Sequence, residues 1–186
     1  PQGEVGLLDL FEGRRQLIVG HFMFHPEWED GCPSCSAGVD EIADGLREHL
    51  AIRDTTLAYV SRAPLEKIER YKAKKGWTFP WFSSAGSDFN YDFHVSWKKE
   101  DLAKGKIQYN YEMIETKMED LPGGSVFFKD KDGNIYLTYT GFGDTGDEIL
   151  GAYYLLDMMP KGRNEAHFME WVKRHDEYED KKRVAE

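Results

Sequence analysis

Two cysteines, Cys32 and Cys35, are the only ones in the chain, and they stand three apart as Cys32-Pro33-Ser34-Cys35. From Ser36 the apolar residues Val39, Ile42, Ala43, Leu46 and Leu50 recur at three and four, the spacing of an amphipathic helix. Two cysteines in the first turn of that helix share a face and lie close enough to bridge. Cys32 falls at the helix N-terminus, where free N–H groups and the macrodipole favour a negative charge. Pro33 suits the first helical position because its missing N–H would have no partner there. The expected result is an acidified Cys32 thiol. Lowering its pKa from ~8.5 to roughly 6.5 raises the thiolate fraction at pH 7 from about 3% to about 75%. Thiolate is the form that attacks disulfides and peroxides, and Cys35, further into the helix, is placed to resolve the product.

Other readings of the pair stay open. One is a buried, inert pair. Another is a copper(I) or zinc site, since soft thiolates select such ions. It requires further ligands, and no second cysteine pair exists. His21 and His25 on one strand would be separated by about 13 Å, too far to share an ion, so His25 alone could join the two sulfurs. In a redox site His25 could instead exchange protons near neutral pH. Trp28 and Glu29, in the loop before Cys32, are candidates for the lip of the site. Trp77, Phe79, Trp81, Phe82, Phe89, Tyr91 and Phe93 form a dense aromatic group read as core, with a wall over the cysteines as the alternative. Arg62, Ser83, Ser84 and His94 are read as structural.

The elements that must position these residues follow from periodicity. Residues 16–24 (QLIVGHFMF) are nearly continuously apolar, the mark of a strand covered on both faces. Residues 55–61 predict a second strand. Pro64 opens a helix that Gly76 closes, and residues 78–82 predict a third, short strand. This alternation predicts an α/β fold with a central sheet flanked by helices. Residues 84–106 read as an irregular or partly helical, aromatic-rich insertion. Strands at 125–128 and 134–140 flank Asp130-Lys131-Asp132-Gly133 and predict an antiparallel hairpin, which makes the sheet mixed. Helices are expected at 147–158 and 164–178, and the last residues, 179–186, as a charged tail on a single domain spanning 1–178.

Two tempting motifs are set aside. Gly141 to Gly146 fits GxGxxG, but no parallel strand follows to complete a dinucleotide site. Asp88-Phe89-Asn90-Tyr91-Asp92 begins like a calcium loop, but Phe93 occupies the position that needs Gly, and Lys99 the one that needs Glu. Composition narrows the partners. With 24 basic against 34 acidic residues the net charge is −10, so nucleic acid and anionic membrane surfaces are not expected to bind. No apolar run approaches the ~18 residues of a membrane span, no export signal is recognised, and two cysteines do not make a disulfide scaffold. A cytoplasmic protein is the expectation, with a homodimer left open.

The order of strand, CxxC, helix, strand, helix, strand, hairpin and helix resembles the thioredoxin-like superfamily, and its peroxiredoxin branch in particular over residues 57–84. The segments LFEGRRQLIVGHFMF, GCPSCS, SRAPL, GWTFPWFSS, SDFNYDF, PGGSVF and LLDMMPKGR resemble an uncharacterised bacterial thioredoxin-like family, domain-of-unknown-function family 899. The resemblance implies a thioredoxin-like fold and a redox centre at Cys32 and Cys35. It brings no established substrate; the thiol chemistry itself requires no organic cofactor and takes an external thiol reductant with a disulfide or peroxide substrate. Where thioredoxins carry a cis-Pro facing the sulfurs, this chain has Pro122-Gly123-Gly124-Ser125, so Ser125 or Gly124 is expected there. Where peroxiredoxins carry a Thr three residues before the reactive cysteine, this chain has Glu29.

Overall fold

The computed structural model describes residues 3–143 and 150–178. Five strands form one mixed sheet in the order β3-β2-β1-β6-β7. They are β1 (Gln16–His21), β2 (Thr55–Ser61), β3 (Trp81–Ser83), β6 (Gly123–Lys129) and β7 (Ile135–Gly141). β1 is central. It runs parallel to β2, with His21 opposite Val60, and antiparallel to β6, with His21 opposite Gly123. This is the expected α/β arrangement, a central mixed sheet. The hairpin β6–β7 is present, and its Asp130 carboxylate accepts the backbone N–H groups of Asp132 and Asn134.

The expectation of a strand covered on both faces holds for one face: Leu17, Val19 and His21 of β1 are buried, whereas Ile18 and Gly20 on the other are only partly covered. On one face Phe22, Tyr59, Phe79 and Trp81 pack with Val39 of α1 (Pro33–Asp40) and Ile68 and Tyr71 of α3 (Leu65–Lys75). On the other, Leu17, Val19 and Val60 pack with Leu10 and Phe11 of a short 3-10 helix and with Phe89 and Phe93. The aromatic run therefore divides between the two faces. Trp77, Phe79 and Trp81 go to the cysteine side, whereas Phe82, Phe89 and Phe93 go to the far side.

Two expectations are corrected, and one element was missed. The helix read through Leu50 is two, α1 and α2 (Asp44–Ile52), because Ala43 is extended and the Glu41 carboxylate leaves to accept the first N–H groups of α6 (Gly151–Asp157), from Gly151 and Ala152. The insertion is irregular and partly helical, as expected, with two short helices, α4 (Phe89–Asp92) and α5 (Lys99–Leu102). A small hairpin, β4 (Ile107–Tyr109) and β5 (Glu112–Ile114), went unrecognised, because its turn is Asn110-Tyr111 without glycine, both residues at positive φ. Residues 164–178 form turns instead of a helix. Side chains there take the backbone donors: Ala166 N–H goes to Glu170, Met169 N–H to the Tyr153 hydroxyl, and Lys173 N–H to the Tyr178 hydroxyl. The GxGxxG loop lies mostly outside the described residues, as does the tail at 179–186.

Candidate active site

β1 stops at His21 although the apolar run continues to Phe24, and the site is the reason. The Ser61 hydroxyl donates to the Phe22 carbonyl at 2.6 Å and accepts the Trp81 indole N–H at 2.9 Å. Met23 is thereby freed from the ladder. Its carbonyl accepts the Cys32 N–H at 3.0 Å, and its own N–H reaches the Cys35 sulfur. The backbone just past the sheet edge thus holds both cysteines. Gly31 permits this approach, since a Cβ there would sit 2.6 Å from the Phe22 ring. Cys32 caps α1, Pro33 is the first helical residue, and the Ser36 hydroxyl and N–H both return to the Cys32 carbonyl.

The two sulfurs are free thiols that share a hydrogen bond. The Cys35 thiol as donor is the largest influence on Cys32, and drawing against burial it brings the Cys32 pKa down to about 7. Smaller contributions come from the backbone N–H groups of Cys35 and Ser34 and from the Arg174 guanidinium. The same shared proton pushes Cys35 well above the ordinary thiol range, with burial adding to it. The electrostatics therefore assign the thiolate to Cys32 and the proton to Cys35.

Arg174 is a residue that sequence reading missed. Two of its nitrogens, Nε and Nη2, donate to the Gly31 carbonyl, the residue before Cys32. Nearby, His175 Nδ1 lies 2.7 Å from an Asp40 carboxylate oxygen, and Asp176 pairs with the buried Lys75 ammonium. The segment is held against α1 and α3 by side chains far apart in sequence, and no local motif announces that.

Beside the sulfurs lies a cleft of about 700 Å³. Its floor is the β1, β2 and β6 backbone around Ile18, Gly20, Leu57, Tyr59 and Gly124, and its walls include Leu46 and Leu50 of α2, with Phe168 and Met169 opposite. The ring of Tyr59 lies across Gly20, where a Cβ would meet the ring at 2.2 Å. Apolar side chains dominate the lining. The Tyr59 phenol is held well above its ordinary pKa, first by burial and then by a charge on Cys35.

The profile of bacterial proteins of unknown function called DUF899 matches residues 1–178. The chain belongs to the DUF899 family. Among curated proteins none matches the sequence significantly. Solved structures similar to this DUF899 chain include the peroxidoxin BcpB of Mycobacterium tuberculosis, at 15% identity over 77% of this chain and 81% of that one, with a TM-score of 0.47. The bacterioferritin comigratory protein of Xanthomonas campestris is 13% identical over 74% of this chain and 77% of that one, with a TM-score of 0.44. A thioredoxin-type protein of Neisseria meningitidis is 16% identical over 88% and 89%, with a TM-score of 0.39.

The other residues singled out from sequence fall in different places in the DUF899 fold. Pro33 is exposed on α1 beside the thiols. Glu29 is exposed in the preceding loop. Trp28 packs on the aromatic core, its ring 6.0 Å from that of His25. His25 is buried and turned away from the sulfurs. Its Nδ1 accepts the Glu27 N–H, and its Nε2 lies 3.3 Å from Glu119, in a cluster with Arg62 and Asp120. The metal arrangement built on Cys32, Cys35 and His25 is therefore not assembled, and among the described residues no group of three or more His, Cys, Asp or Glu is placed to hold an ion. Ser125 does not face the thiols either. It is fully buried on the opposite face of the sheet, 2.9 Å from His21 Nε2, and Gly124 is the residue at the cleft. Arg62 is partly buried against Asp120 at 2.8 Å, a structural ion pair as expected. No helix among the described residues is long and apolar enough to cross a membrane.

Proposed function

We propose that this protein is a thiol redox enzyme that reduces a disulfide or a peroxide with Cys32 and Cys35. With a disulfide, the Cys32 thiolate attacks one sulfur, forms a mixed disulfide and expels the other sulfur as a thiolate. With a peroxide, it attacks the distal oxygen. The O–O bond breaks, Cys32 becomes a sulfenic acid, and the leaving oxygen takes up a proton as an alcohol or water. Cys35 then gives up its proton and attacks Cys32, releasing the second thiol or water and closing the Cys32–Cys35 disulfide. An external dithiol supplies two electrons and two protons to restore the pair.

The observation that carries this reading is geometric: two free thiols share a hydrogen bond at the N-terminus of α1, and both line the wall of an open cleft. Arg174 strengthens it as a positioning residue that fixes the Gly31 carbonyl and places a positive charge beside Cys32.

The test is mass spectrometry of reduced protein treated with one equivalent of hydrogen peroxide or glutathione disulfide. The parent chain should lose both thiols together and two hydrogens in mass. Cys35→Ser should instead hold an added oxygen or glutathione on Cys32. Oxidation of the two thiols independently, or no oxidation at all, contradicts the proposal.

A further inference from the structure

The cleft is larger than the thiol chemistry requires, and its far end holds unused packing surface. α2 buries none of its residues, yet Leu46 and Leu50 line the cleft together with Ile42, just before the helix. An amphipathic helix ordinarily presses its apolar side onto the sheet. Here that side stands over Ile18 and Leu57 with open volume between. About 700 Å³ falls within the ~300–1,000 Å³ of pockets that enclose drug-sized ligands.

Two further observations fix the chemistry of an occupant. Tyr59 is 7% exposed and lines the cleft, and among the described residues no hydrogen bond reaches its hydroxyl. The hydroxyl is not sealed off from solvent but opens onto the cleft, and its O–H is the group a ligand oxygen would take in place of water. Among the described residues of the lining the charges are negative: the Cys32 thiolate, and Glu41, whose carboxylate is already taken by the N–H groups of Gly151 and Ala152. With no Lys or Arg among the described residues of the wall, an anionic ligand would enter without a counter-charge from them.

We infer that the cleft is the binding site of a neutral, elongated apolar small molecule that carries one acceptor oxygen, such as an ester, ketone or quinone carbonyl. Its apolar body lies between α2 and the β1–β2 floor, and its oxygen accepts the Tyr59 O–H beside the thiols. The two sulfurs share this cleft's wall, but binding between α2 and the sheet and the Tyr59 contact require no thiol chemistry.

Nile red, a neutral apolar dye with a carbonyl oxygen, tests this by its fluorescence rise on entering an apolar site. The parent chain should show saturable binding at one site per chain. Methyl decanoate should displace the dye at lower concentration than decanoate does. Gly124→Leu is the blocking variant, since a Cβ there meets nothing within 4 Å and the side chain grows into the cleft. It should weaken dye binding by about tenfold or more while retaining the parent's circular dichroism. Tyr59→Phe keeps the ring over Gly20 and should weaken binding by roughly fivefold. Linear, unsaturable fluorescence in the parent overturns the site. Equal binding by Gly124→Leu overturns its location, and decanoate displacing the dye better than the ester overturns the neutral ligand. Dye binding with an inert Cys32 would count against the redox reading alone, and a reactive Cys32 without saturable binding against this inference alone.

Discussion

At the scale of single residues, the acidity of Cys32 rests more on its partner than on the helix. The macrodipole argument from sequence places Cys32 correctly, at the cap of α1, and anticipates the direction of its shift. The dominant cause is nevertheless the hydrogen bond from the Cys35 thiol, with the helical N–H groups of Ser34 and Cys35 contributing less. Replacing the donor separates the two. Cys35→Ala removes the hydrogen bond and should raise the Cys32 pKa by about one unit or more, slowing iodoacetamide alkylation at pH 7 several-fold. Cys35→Ser keeps an O–H donor and should retain most of the acidity. Equal alkylation by the parent and Cys35→Ala at pH 7 would assign the acidity to the helix instead.

At the scale of elements, the sheet and its hairpin were readable because they are written locally. β2 begins and ends where alternation and burial said, and Gly76 stops α3 in the left-handed conformation. What escaped was written across the chain. The break between α1 and α2 depends on Glu41 reaching the backbone of α6, 110 residues away. The end of β1 depends on the Ser61 hydroxyl. Gly20 illustrates the same dependence, because its lack of a side chain matters only once Tyr59 lies across it. Gly20→Ala should therefore destabilise the fold by about 1–3 kcal/mol through overpacking. Because the two sites are in contact, the cost should shrink in a Tyr59→Ala background, as a double-mutant cycle of urea unfolding would measure. Equal costs in both backgrounds would show that the Tyr59 ring is not the obstacle.

At the scale of the whole molecule, the core itself carries a pH dependence. His21 is 4% exposed between Phe89, Phe93 and Ser125, its Nδ1 has no hydrogen-bond partner, and burial lowers its pKa to about 4. The unfolded chain, where His21 titrates near ~6.5, binds the proton better between those two values. Stability should therefore fall on acidification through that window, by about 2 kcal/mol from about pH 7.5 to 5, and His21→Gln should remove most of that slope in urea unfolding. An unchanged slope would place the acid sensitivity elsewhere. The candidate site was legible only in part for a related reason. Cys32 and Cys35 announce themselves by spacing, whereas Tyr59 and Gly124, which line the cleft, and Arg174, which binds the Gly31 carbonyl, come from three separate regions and reach the site only in the folded chain. Ser125 and Gly124 are neighbours on one strand, and a strand sends neighbouring side chains to opposite faces, so only one of them could be right. The most direct test of the redox account is the pH dependence of Cys32 alkylation by iodoacetamide in the full chain, with Cys32→Ser as the blank. The account predicts a single-site midpoint at about 7. A midpoint at or above the ~8.5 of a free cysteine would contradict it.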